Sequence, residues 1–208
     1  MKANPEPPDV RRDPEALLRQ IEAAERASVR GQLKIFLGYA SGVGKSFRLF
    51  DEARRRRDRG EDIVVAAAQP DSTAEVARLI HTFEVVPTRI VEGVPLIDVP
   101  AVLARRATVC LVDGLAYDNP PGSRHPKRCD DVEELLAAGI SVLTSINLEY
   151  IAEQQEFVQT VLGTTKRDTV PQQFIDRADE VVVVDAPPDV EAGIEAHQLS
   201  QLRQRALL

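Results

Sequence analysis

GYASGVGKSF, residues 38–47, has the glycines of a phosphate-binding turn, but its first half is displaced. The usual pattern places a glycine at the position occupied here by Tyr39, and Gly38 stands one residue early. An apolar run, LKIFLG at 33–38, leads into the stretch, and a helical pattern carrying Phe47, Leu49, Phe50 and Ala53 leads out. That strand–loop–helix order is the context a phosphate cradle requires. Gly42 and Gly44 let the backbone curl so that several N–H groups face one anion, and the helix start adds the positive end of its dipole. In such a cradle Lys45 reaches the terminal phosphates and Ser46 supplies a hydroxyl to Mg²⁺. A glycine-rich turn with a solvated lysine is the competing reading.

Working outward, short apolar runs alternate with helical patterns. IVVAAA (63–68), TVCLVD (108–113), ISVLTSI (140–146) and VVVVD (181–185) join 33–38 as expected strands. Most are continuously apolar, as in strands covered on both faces of a parallel sheet. Helices are expected near 44–59, 72–82, 98–106, 130–138, 148–161 and after 188, with a short extra strand or hairpin in 83–97. The fold class expected is α/β, a three-layer, P-loop NTPase-like sandwich with a mainly parallel sheet. Residues 1–12 read as a disordered, proline-rich lead-in and 13–208 as one domain. Its first helix is expected from Asp13 as N-cap and Pro14 at the first helical position.

Composition narrows the functions. A net charge of −7 argues against nucleic acid as the main partner, which calls for a basic surface. Aromatic residues make up only 4% of the chain and tryptophan is absent, so stacking on single strands has little to use. Cys110 and Cys129 have no metal-ligand spacing and read as reduced thiols of a cytoplasmic protein. No apolar run is long enough to insert in a membrane.

Two further segments bear on the loop. Asp113 ends an apolar strand, where a carboxylate commonly helps to hold Mg²⁺; a turn-capping Asp is the alternative. Gly114 follows it, where many hydrolases carry a water-polarising glutamate, so binding has more support than hydrolysis. Residues 119–128 then gather turn-formers with Arg124, His125, Lys127 and Arg128 ahead of a helix. They read either as a segment sensing the terminal phosphate or as a solvated basic turn that balances DDVEE. The run ARRRRDRGED at 53–62 reads as a solvated helix face.

Together, GQLKIFLGYASGVGKS (31–46), LVDGLAYDNPPGSRHPKRCDDVEELLAAGI (111–140) and VPQQFIDRADEVVVVDAPPD (170–189) resemble the N-terminal cytoplasmic domain of the KdpD family, osmosensitive potassium-channel sensor histidine kinases. NPPGSRHPKR is the most specific part. The family's loop looks like GAAPGVGKT, so the early glycine is a family feature. Where the family reads Asp-Glu this chain has Asp113-Gly114, and Cys129 stands where it carries a tryptophan. A Thr-His-Gly-Arg-like segment of the family appears here as Gln69 to Thr73, and its Asn-Val-Gln-His as Asn147 to Tyr150.

The resemblance implies an ATP- and Mg²⁺-binding regulatory domain that acts on a histidine kinase core or response regulator. An active NTPase, or an interaction protein with a vestigial site, is the alternative. The nucleotide set it points to is Gly38, Ser41, Gly42, Val43, Gly44, Lys45, Ser46, Phe47, Asp113, Arg124 and His125, with Ser46 and Asp113 toward the metal.

Overall fold

The computed structural model describes residues 30–186 and 194–207. The helix expected from Asp13, and the lead-in before it, lie outside those residues.

Continuity of apolar side chains decides which strands are central. β1 (Leu33–Gly38), β2 (Ile63–Ala67), β6 (Val109–Val112) and β7 (Ser141–Asn147) are buried almost throughout. β3 (Glu84–Val85) and β8 (Glu180–Val184) are largely exposed and take the two edges. The order is β3-β2-β6-β7-β1-β8, and every pairing is parallel. Parallel neighbours need crossover connections, and the helices that make them flank the sheet, giving the three-layer α/β architecture. Each central residue is held from both faces; truncating fully buried Leu111 to alanine would cost about 2–5 kcal/mol.

The helices are α1 (Lys45–Arg57), α2 (Ala74–Ile80), α3 (Val99–Arg105), α4 (Arg128–Ala137), α5 (Gln155–Leu162), α6 (Gln172–Asp176) and α7 (Ala196–Ala206). Side chains set several starts. Thr73 caps α2 by accepting from the Val76 amide, and Asp98 caps α3 through Ala101. No side chain caps α1, which opens from Gly44 in the left-handed region at φ 85°. Its arginine-rich end is an exposed ion-pair lattice, with Arg54 on Asp51 and Asp58 and Arg56 on Glu61.

The 83–97 region forms β3 and a separate hairpin, β4 (Arg89–Val91) and β5 (Val94–Leu96). Glu92 and Gly93 turn it, both at positive φ, as a type I′ turn demands. The single helix expected over 148–161 is instead two 3₁₀ turns, Leu148–Tyr150 and Ala152–Gln154, followed by α5. A distant segment interrupts it. Val170 donates to the Tyr150 carbonyl and accepts from the Ala152 amide, drawing those backbone groups away from helical bonds.

Candidate functional site

The carboxyl ends of β1, β6 and β7 meet at one edge because β7 lies between the other two. Gly38 is in register with Asn147, and Val112 with Thr144. The loop after β1 and the carboxylate after β6 therefore flank the end of β7, beside the residues that follow β2. A crevice of about 550 Å³ opens there, within the range of small-ligand sites. Ser41, Gly42, Gly44, Lys45, Ser46 and Phe47 line one side, and Gln69, Thr73, Tyr117 and Tyr150 are among the residues of the others.

The displaced glycine has a steric cause. A Cβ on Gly38 would lie 2.6 Å from Lys45 Cδ and 2.8 Å from Val43 Cγ2, so only a bare backbone lets the lysine stem cross it. Tyr39 is buried, and its hydroxyl donates to the Ala186 carbonyl at 2.7 Å, tying the loop to the chain beyond β8. Val43 is buried as the loop's apolar anchor, while Gly42 and Gly44 both sit at positive φ. Lys45 folds back so that Nζ donates to the Ala40 carbonyl at 3.1 Å. Burial lowers its pKa to about 8, against the upward pull of Asp113 and Glu149.

Asp113 is completely buried. Its Oδ1 accepts from Ser145 Oγ at 2.6 Å and Ser46 Oγ at 3.1 Å, while Oδ2 makes no hydrogen bond among the described residues. Burial raises its pKa, opposed by the two hydroxyls, Lys45 and the Gln69 backbone. Gly114 follows at φ 86°, its N–H donating to Ser145 Oγ and its carbonyl accepting from Arg128. A Cβ there would come 2.2 Å from Gln69 Nε2, so Gln69 covers the ground where a side chain at 114 would project.

Arg124 and His125 do not join this cluster. Arg124 Nε donates to Glu134 Oε2 at 2.7 Å, His125 Nε2 lies 2.7 Å from the same oxygen, and neither lines the crevice. Their pull holds the Glu134 carboxyl at about 2. Arg128 sits one layer behind the crevice wall: it is buried, donates to the Gly114 carbonyl at 2.7 Å and stacks on Tyr117, its guanidinium carbon 4.1 Å from the ring centre. Lys127 binds Asp118 and the Thr169 carbonyl.

β7 and the turn beyond it supply residues outside the nucleotide set read from the sequence: Ser145, Asn147 and Glu149, all buried. The signal for the two on the strand is that Thr144, Ser145 and Asn147 are polar residues in the buried part of β7. Among the described residues, no three His, Cys, Asp or Glu side chains gather to hold a metal by themselves. Cys110 and Cys129 are buried and free, with burial raising their thiols to about 12 and about 11.

An open parallel α/β sheet, with buried charge and a crevice at its carboxyl edge, places the chain among α/β domains whose candidate site lies beyond the strand ends. Residues 29–204 match the family described as KdpD, the osmosensitive K⁺ channel His kinase sensor domain. The chain belongs to that family. It is 43% identical over 184 residues to the sensor protein KdpD of Escherichia coli K12, covering 86% of this chain and 20% of the relative. It is 40% identical over 172 residues to the sensor protein KdpD of Mycobacterium tuberculosis H37Rv, covering 81% and 20%. The chain thus spans about a fifth of the length of these curated relatives.

Proposed function

We propose that this domain binds ATP with Mg²⁺ in the crevice and serves as the regulatory input of a KdpD-type sensor histidine kinase in potassium or osmotic signalling. The nucleotide state would pass to a kinase core or response regulator. One observation carries the reading: among the described residues a desolvated ammonium, Lys45, is bonded only to a carbonyl and stands near a buried carboxylate with one oxygen outside any hydrogen bond. Burying two charges without completing their hydrogen bonds is costly unless the site is built for a ligand that uses them.

The residues fit the two groups. For the polyphosphate they offer a loop curled at Gly42 and Gly44, an uncapped start of α1, and the Lys45 ammonium. For Mg²⁺ they offer the Ser46 hydroxyl and the unpartnered Asp113 Oδ2, a small set of the kind that suits this ion when phosphates complete its shell. Bound Mg²⁺ supplies positive charge that shields the phosphate oxygens. Turnover has less support, because Gly114 brings no carboxylate and Gln69 covers its outer side.

Calorimetry and thermal melting with MgATP test the binding. At a hundred times Kd a single-site ligand stabilises by about 2.7 kcal/mol, roughly 5–10 °C for a domain of this size. K45A is expected to weaken binding about 100-fold and remove that shift. Absence of heat and of stabilisation in the unmutated protein would sink the proposal.

A further inference from the structure

We infer that Asn147 is the residue that separates a nucleoside triphosphate from a diphosphate in this crevice; the inference rests on the nucleotide reading above. Sheet order brings it there. Asn147 ends β7 in register with Gly38, where the phosphate loop begins, and Ser145 on the same strand is bonded to Asp113. The Asn147 amide therefore lies in the wall between Lys45's loop and the carboxylate, and it is 7% exposed.

Its hydrogen bonds are incomplete. Nδ2 donates to Ser41 Oγ at 3.1 Å and, at a long 3.4 Å, to Glu149 Oε1, while Oδ1 is buried without a partner. The Glu149 carboxylate oxygen can only accept, which puts Nδ2 on its side, while the Ser41 hydroxyl suits either orientation of the amide. Glu149 is steadied by Lys166 at 3.5 Å, and its charge acts on Lys45. A buried amide with an orphaned acceptor and one stretched donor bond is not in its best arrangement. Its other donor bond runs to Ser41, an exposed residue of the loop that would close on an anion.

Phosphate oxygens accept only, so the group that reads them must donate. Arg124 and His125 are committed to Glu134, and among the uncharged donors of the crevice wall Asn147 is the one in register with Gly38 and bonded to Ser41 of the loop. When Ser41 turns with the loop toward a bound polyphosphate, Nδ2 is released to donate to the terminal phosphate. A diphosphate satisfies Lys45 and the loop amides without drawing Asn147 off Ser41.

The test compares MgATP and MgADP by calorimetry and thermal melting, using the unmutated chain, N147A and N147D. The unmutated protein is expected to bind ATP at least about tenfold tighter than ADP, the size of one hydrogen bond to a charged group. N147A should bring the two within about threefold while leaving ADP affinity nearly unchanged. N147D keeps the side-chain size, so it reports even if the cavity left by alanine disturbs folding. Its carboxylate should invert the preference by repelling the extra phosphate. A folded variant that keeps the original ratio, or an unmutated protein that binds both nucleotides equally, overturns the assignment while leaving ATP binding standing. Failure of the unmutated protein to bind either nucleotide would remove both proposals.

Discussion

Two loops leave the same edge of the sheet and treat their charges in opposite ways. The loop after β1 carries one ammonium, desolvated and bonded to a carbonyl, near a carboxylate with an unpartnered oxygen. The segment after β6, from Gly114 to Lys127, carries more basic side chains and has them paired already, two of them with α4. Arg124 and His125 share Glu134, Lys127 takes Asp118, and Asn119 bridges the His125 carbonyl to Asp131. Backbone bonds between Asn119 and Pro126 and between Arg128 and Tyr117 close it into a hairpin-like unit. The cation-rich loop thus has less capacity for a ligand than the cation-poor one. What counts is the number of charges still lacking a partner.

Removing the buried charge without removing its bulk gives the largest expected effect on the protein alone. The Lys45 pKa of about 8 lies below its ordinary 10.5, so between those values the unfolded chain binds more protons than the folded one. The cost of burying the ammonium is therefore present at neutral pH and fades as pH rises from about 8 to 10.5. K45M is expected to be more stable than the unmutated protein at pH 7 by up to about 3 kcal/mol. The gap should close by the alkaline end of that window. Denaturant melts across the range measure it; a gap that does not change with pH would mean that Lys45 is not desolvated. A protein made more stable by losing its lysine, yet unable to respond to MgATP, would show that the loop is shaped for its ligand at the expense of its own stability.

The join between the two loops comes next. Gly114 needs its left-handed backbone, and a Cβ would press on the Gln69 amide. G114A is expected to cost about 1–2 kcal/mol, from backbone strain and from displacing Gln69. Adding Q69A should recover only the contact part. If the double variant recovers all of the loss, the φ of residue 114 contributes nothing and Asp113 is not positioned by that turn.

Much of this frame was legible in the chain. The continuous apolar runs located the main strands because burial on both faces removes alternation, and β1 runs over the same residues as its apolar run. Glycine spacing placed the turn before α1, since only glycine adopts its backbone freely. The missed parts depend on partners far away in sequence. α6 is five residues long and follows Pro171, too short for periodicity to register. The break in 148–161 is made by Val170. At the site, reading by motif gave weight to charges, and so to Arg124 and His125. Asn147 enters that reading only as part of a family segment with no ligand role, because its position at the crevice comes from β7 lying between β1 and β6. Sheet order is a property of the whole chain and leaves no local mark.

The smallest effect is expected where the sequence looked most suggestive. R124A removes a two-pronged bond to Glu134, but at a solvent-exposed position where water replaces the lost contacts. His125 stays on Glu134, and the bonds that close the hairpin are backbone bonds and those of Asn119, none of which involves Arg124's side chain. The variant is therefore expected to melt within error of the unmutated protein and to keep the same ratio of ATP to ADP affinity. Because Glu134 is held at about 2 by both partners, its loss of Arg124 should register chiefly as an upward move of that carboxyl, visible by NMR titration. A collapse of the ATP preference in R124A, with Asn147 intact, would reverse the contrast. It would mean that the ion pair to Glu134 opens when nucleotide arrives, and that the loop after β6 holds its charges in reserve.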